Sequence, residues 1–129
     1  MTCSLDMRHP DKATLDHLDA EMRRIVDEEC ERHGVEHSIH VGNDSPPVTF
    51  DPTCVSAVRD SVSSLGMSHI DIVSGAGHDA CYVAKHAPTA MIFVPCDDGL
   101  SHNEAENISA EQAERGASVL LGAMRRLAE

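Results

Sequence analysis

Residues 88–102 read Pro88-Thr-Ala90-Met-Ile-Phe-Val94-Pro-Cys-Asp-Asp-Gly-Leu-Ser-His102. The apolar run Ala90–Val94 is too short for a helix and lacks the alternation of a one-faced strand. It reads as a strand buried on both faces, as in a parallel sheet. The acidic turn after it puts His102 at the strand's exit, where an imidazole can be offered to a metal. The same residues also read as a solvated acidic loop. A second run of this kind, Ile70–Val73, opens into Ser74-Gly75-Ala76-Gly77-His78-Asp79-Ala80. Glycines after a buried strand let the backbone approach a ligand at the carboxyl end of an open α/β sheet. Two glycines also make an ordinary turn, so this segment leaves both readings open.

Helix signals flank these runs. Asp51-Pro52 is an N-cap followed by proline at the first helical position, predicting a helix over 52–65 with Val55, Val58, Val62 and Leu65 inward and Gly66 ending it. Ser109-Ala-Glu-Gln112 is a capping box for a helix over 110–128, with Ala113, Ala117, Leu120, Leu121, Met124 and Leu127 inward. Nearer the amino terminus the grammar differs. Thr2–Met7 alternates strictly, a strand with one wet face. Asp11 caps a helix over 12–33 whose stripe is Leu15, Leu18, Met22, Ile25 and Val26, closed by Gly34. Val35, Ile39 and Val41 alternate again over 35–41, with His37 on their face. Gly42–Pro47 is the clearest break in the chain.

These elements predict an α/β chain in two parts: an α+β half-layer over 1–48 and the end of an α/β sheet over 49–129. Each part is incomplete, because two strands leave rows of unpaired donors and acceptors at their edges. The chain therefore pairs with another chain or is a piece of something larger.

Composition narrows the function. The 129 residues carry 22 Asp and Glu against 10 Lys and Arg, a formal net charge of −12. This disfavours nucleic acid and anionic membranes, both of which require a basic footprint. No apolar run approaches the roughly 20 residues of a membrane span, and Met1–Met7 has no basic-then-apolar leader. Five scattered cysteines without C-x-x-C suit reduced thiols, so a cytoplasmic location is expected. Only three aromatic residues are present, which leaves the core to aliphatic side chains. Nine histidines are many, and histidine is the commonest metal ligand. His37 and His40 fall on opposite strand faces by period two and do not chelate together.

Three segments, Leu5-Asp-Met-Arg8-His-Pro-Asp11, Ser74–Ala80 and Pro88–Glu106, resemble in order and spacing the carboxyl-terminal part of the zinc-dependent amidohydrolases. That family comprises N-carbamoyl-L-amino-acid hydrolases, allantoate amidohydrolases and β-ureidopropionases. The wording Cys96-Asp-Asp-Gly-Leu-Ser-His102-Asn-Glu-Ala-Glu106 is most similar to the carbamoylase branch. The resemblance implies a partial metallopeptidase-like fold, with 1–48 the second half of a lid that carries dimer contacts and 49–129 the end of the catalytic domain. It puts His102 on the family's last metal ligand and Arg8 on the arginine that grips the substrate carboxylate. Gly75, Ala76, Gly77 and His78 fall on the substrate-binding loop, with His78 polarising the scissile carbonyl.

The implied reaction is metal-dependent hydrolysis of an N-carbamoyl group on a small molecule, in a homo-oligomer with two zinc or manganese ions. The family's other ligands and its general-base glutamate match positions upstream of this chain, so the chain alone is expected to be inactive and to hold no metal stoichiometrically. His69-Ile-Asp71 imitates the family's H-x-D ligand pair but sits where the family has a structural strand. Competing readings are a truncated, non-catalytic dimerisation module and a small acidic metal-binding protein.

Overall fold

The computed structural model describes all 129 residues: four α-helices and one short 3-10 turn, joined by irregular segments. The chain divides into two compact units, one of Met1–Val48 with Val73–Ala76, the other of Thr49–Ile72 with Gly77–Glu129.

In the first unit, α1 (Lys12–His33) begins and ends where its caps predict. The Asp11 carboxylate accepts from Thr14 N at 2.8 Å and Thr14 Oγ1 at 2.7 Å. At the other end Gly34 takes φ 63°, a left-handed turn that a Cβ would disfavour. There the N–H groups of Gly34 and Val35 return to the carbonyls of Glu31 and Cys30. Along the helix, Lys12–Asp16, Arg23–Asp19 and Arg32–Glu29 pair at three- and four-residue spacing. No residue of α1 is fully buried, and Leu18 and Ile25 of its apolar stripe are exposed.

In the second unit, α2 (Pro52–Ser64) packs on α4 (Ala110–Ala128), with the short α3 (Asp79–Val83) and a 3-10 turn at Asp97–Gly99 between them in sequence. Asp51 caps α2 through Thr53 N at 2.9 Å and Cys54 N at 3.0 Å. Ser109 caps α4 through Gln112 N at 3.1 Å. The α2–α4 contact is made by small residues. Ser61 is 1% exposed and donates from Oγ to the Val119 carbonyl at 2.9 Å. A Cβ on Gly122 would lie 2.1 Å from that Oγ. Ala57, Val62, Val119 and Ala123 complete the core.

Two expectations are corrected. None of the predicted strands at 2–7, 35–41, 70–73 and 90–94 forms a ladder; all four segments are irregular. A strand exists only with its neighbour, and this chain supplies none with the matching register. The anticipated burial fails with them: Ile70 is 82% exposed, and Phe93 is exposed beside half-buried Ile92 and Val94. On α4 the inward face is the small-residue one carrying Val119 and Ala123, not the predicted stripe. Leu120, Leu121, Met124 and Leu127 are exposed, because close approach to Ser61 selects Gly122 for the contact. Part of that stripe, with Val58, Ala90, Ile92 and Val94, instead lines an open apolar groove in this unit. Helix α3 was not anticipated.

The caps make an acid response testable. Hydrogen bonds from Thr14 hold the Asp11 carboxyl below the usual carboxylate range, and those from Cys54 and Thr53 do the same for Asp51. A depressed carboxyl stabilises the fold above its unfolded pKa, and that contribution is lost as pH falls through the folded value, here below about pH 4. Helix content measured by circular dichroism should fall over that range. In the Asp11→Asn, Asp51→Asn double variant, which caps without titrating, the fall should be smaller. An identical fall in both proteins would exclude the caps as its source.

Candidate functional site

Arg8 lies just before α1 in the first unit and is committed on two sides. Its Nε donates to both Asp6 carboxylate oxygens at 3.0 and 3.1 Å, and Nη2 pairs closely with Asp6 Oδ2. Nη1 donates to the Gly75 carbonyl at 2.5 Å. Hydrogen bonding to Asp6 raises the guanidinium's pKa further and lowers that of the Asp6 carboxyl. Of the five guanidinium N–H groups, three are engaged and two remain for an incoming carboxylate. Asp6 already shows Arg8 gripping a carboxylate through the side of its fork. Sequence reasoning passed over Asp6, although its place two residues before Arg8 puts both on one face of an extended segment.

The glycine-rich loop is divided between the units, with Gly75 and Ala76 in the first and Gly77 and His78 in the second. Ala76 N donates to Ser74 Oγ at 3.2 Å. Space around Gly77 is open, since an added Cβ would meet nothing within 4 Å. His78 is the N-terminal flanking residue of α3, and its ring meets Phe93 edge-on with centroids 5.5 Å apart.

His102 sits in the exposed loop between Gly99 and α4, with φ 57°. Its N–H donates to Glu106 Oε2 at 2.9 Å, and its imidazole makes no hydrogen bond within the chain. An exposed ring with both nitrogens uncommitted fits the part of a single metal ligand. It does not make a site: no three His, Cys, Asp or Glu side chains converge anywhere in the chain.

The other candidates are engaged elsewhere. Arg59 forks onto Asp71, with Nη2 to Oδ2 at 2.7 Å, and this hydrogen bonding holds the Asp71 carboxyl below its usual range. Asp71 is thereby tied to α2 rather than offered to a metal beside His69. His37 Nε2 lies 3.0 Å from Asp27 Oδ1, while His40 is exposed. The Cys54 thiol is pushed up by desolvation, which argues against a reactive thiolate.

Comparison with known proteins agrees with the motif reading. Residues 8–126 match the family described as Peptidase family M20/M25/M40. An N-carbamoyl-L-amino-acid amidohydrolase of Rhizobium meliloti is 52% identical over 126 residues, covering 98% of this chain and 30% of that protein. An allantoate amidohydrolase of Bacillus subtilis is 32% identical, over 97% of this chain and 30% of that one. Among solved structures, an amidase of the hydantoinase/carbamoylase family from Burkholderia multivorans superposes with a TM-score of 0.85 at 52% identity, covering 90% of this chain and 28% of its own. The chain thus spans under a third of the length of these relatives.

Proposed function

We propose, from the premise that this chain belongs to peptidase family M20/M25/M40, that it forms the carboxyl-terminal part of an amidohydrolase acting on N-carbamoyl amino acids. The observation that carries the reading is the 52% identity, over nearly the whole chain, to an enzyme named for that activity. Identity to the allantoate enzyme is lower, at 32%, which favours a carbamoyl amino acid over allantoate. The reaction adds water across the ureido C–N bond; the amine leaves with a proton, and the remaining carbamate breaks down to ammonia and carbon dioxide.

Arg8 binds the substrate carboxylate with the donors Asp6 leaves over. His102 holds one of two metal ions, zinc or manganese, whose chemistry is to polarise the ureido carbonyl and acidify water. The further ligands and the general base belong to the rest of the enzyme. His78 donates to the carbonyl oxygen as charge builds on it. Residues 1–48 belong to a lid and dimerisation domain and 49–129 to the catalytic domain, in a cytoplasmic homo-oligomer. The apolar groove and the exposed Leu120, Met124 and Leu127 of α4 support the reading of 49–129 as part of a larger domain, because a free-standing chain would not leave such a face uncovered. The remainder of the catalytic domain is its occupant.

The test is an ammonia-release assay on the complete enzyme with N-carbamoyl-L-amino acids. Arg8→Lys keeps the charge and loses the fork, so KM should rise about tenfold or more while kcat changes little. Absence of turnover on every carbamoyl amino acid, with turnover on allantoate, would move the assignment to the second branch. An unchanged KM in Arg8→Lys would remove Arg8 from the substrate site.

A further inference from the structure

We infer that Glu106 is the positioning residue for His102: its carboxylate holds the backbone that carries the imidazole and so sets the direction from which the ring meets a metal ion. The inference rests on the reading of His102 as a ligand. At φ 57° His102 occupies the left-handed region, where its Cβ crowds the backbone and which residues other than glycine enter only against that steric strain. Something must offset that strain, and the contact present is the 2.9 Å hydrogen bond from His102 N–H to Glu106 Oε2.

The intervening residues are arranged to return Glu106 to that point. Glu106 N donates to the Asn103 carbonyl at 2.9 Å, and Ala105 N donates to Asn103 Oδ1 at 2.9 Å. Asn107 then closes the loop twice on Asp97. The Asn107 carbonyl accepts from Asp97 N at 2.8 Å, and its Nδ2 donates to Asp97 Oδ2 at 2.8 Å. The backbone of the eleven-residue stretch from Asp97 to Asn107 is thus tied at its base and at His102, while the imidazole itself is left uncommitted. A ring that no hydrogen bond orients is directed by its backbone, and here Glu106 determines that backbone. This differs from the usual outer-shell arrangement, in which a carboxylate holds the ligand's second ring nitrogen.

The experiment measures zinc affinity of the complete holoenzyme by competition with a chromophoric chelator, for Glu106→Ala, Glu106→Gln, His102→Ala and the His102→Ala, Glu106→Ala double variant. Glu106→Ala should weaken one zinc site about 10- to 100-fold, the usual cost of losing an outer-shell partner. Glu106→Gln keeps an acceptor oxygen at the same reach and should restore most of that loss. In the His102→Ala background, Glu106→Ala should change nothing further. Zinc affinity unaltered by His102→Ala would overturn the ligand assignment itself. A loss in His102→Ala without one in Glu106→Ala, or an added loss in the double variant, would overturn the positioning role alone. In the 129-residue chain, nuclear magnetic resonance reads the contact directly: the His102 amide proton should move upfield in Glu106→Ala and stay in place in Glu106→Gln. An unmoved resonance in the alanine variant would exclude the hydrogen bond.

Discussion

In the complete enzyme, His102→Ala is expected to abolish hydrolysis of N-carbamoyl amino acids, and the 129-residue chain alone is expected to show neither turnover nor stoichiometric zinc. Both results follow from ligand arithmetic. A hydrolytic metal site takes about three protein ligands and keeps one position open for water. On the proposed reading His102 supplies one such donor, and no cluster of three His, Cys, Asp or Glu side chains exists in this chain to complete a set. Removing a ligand should therefore cost more than the roughly 10- to 100-fold of an outer-shell change. The assay is ammonia release beside calorimetric zinc titration. Weak zinc uptake by the scattered histidines should survive His102→Ala in the isolated chain. Tight one-to-one binding lost in that variant, or turnover by the chain alone, would mean that 129 residues carry a whole site. It would also favour the small acidic metal-binding protein over a segment of a larger enzyme.

What was legible in the sequence depended on whether the determining contacts were local. Helix caps are local, so Asp11, Asp51 and Ser109 marked the starts of α1, α2 and α4, and Gly34 the end of α1. Strands are not local. Ala90–Val94 has the composition of a buried strand, but its partners are not in this chain, and its Phe93 is turned outward beside His78. The inward face of α4 was misread for a related reason. Its leucines and methionine mark the wider apolar surface, whereas the contact actually made needs the smallest residues. In the candidate site, residue type and order singled out Arg8 and His102 as candidates. The carboxylates that hydrogen-bond them, Asp6 and Glu106, lie within four residues in sequence and went unread. A single pattern of charges does not tell a supporting carboxylate from a solvated one until the backbone is seen to turn it back.

Gly122→Leu is expected to dismantle the second unit's helix pair, and the contrast with Leu120→Ala makes the reason visible. Gly122 faces Ser61 so closely that even a methyl would fall 2.1 Å from its Oγ and 3.2 Å from its Cβ. A leucine there must push α4 away from α2. Overpacking of this kind costs about 1–3 kcal/mol, occasionally more. Separation also breaks the hydrogen bond from Ser61 Oγ to the Val119 carbonyl, and a polar group left buried without a partner costs about 1–3 kcal/mol again. Leucine's better helix propensity returns about 1 kcal/mol at most. The net loss is a large part of the 5–15 kcal/mol that stabilises a whole domain. It falls on a core of only Ala57, Val62, Val119 and Ala123. Leu120 is 51% exposed on the groove side, so Leu120→Ala should cost far less in the isolated chain. Urea titration followed by circular dichroism compares the two. A Gly122→Leu midpoint at or above that of Leu120→Ala would show that α2 and α4 are not held by this contact.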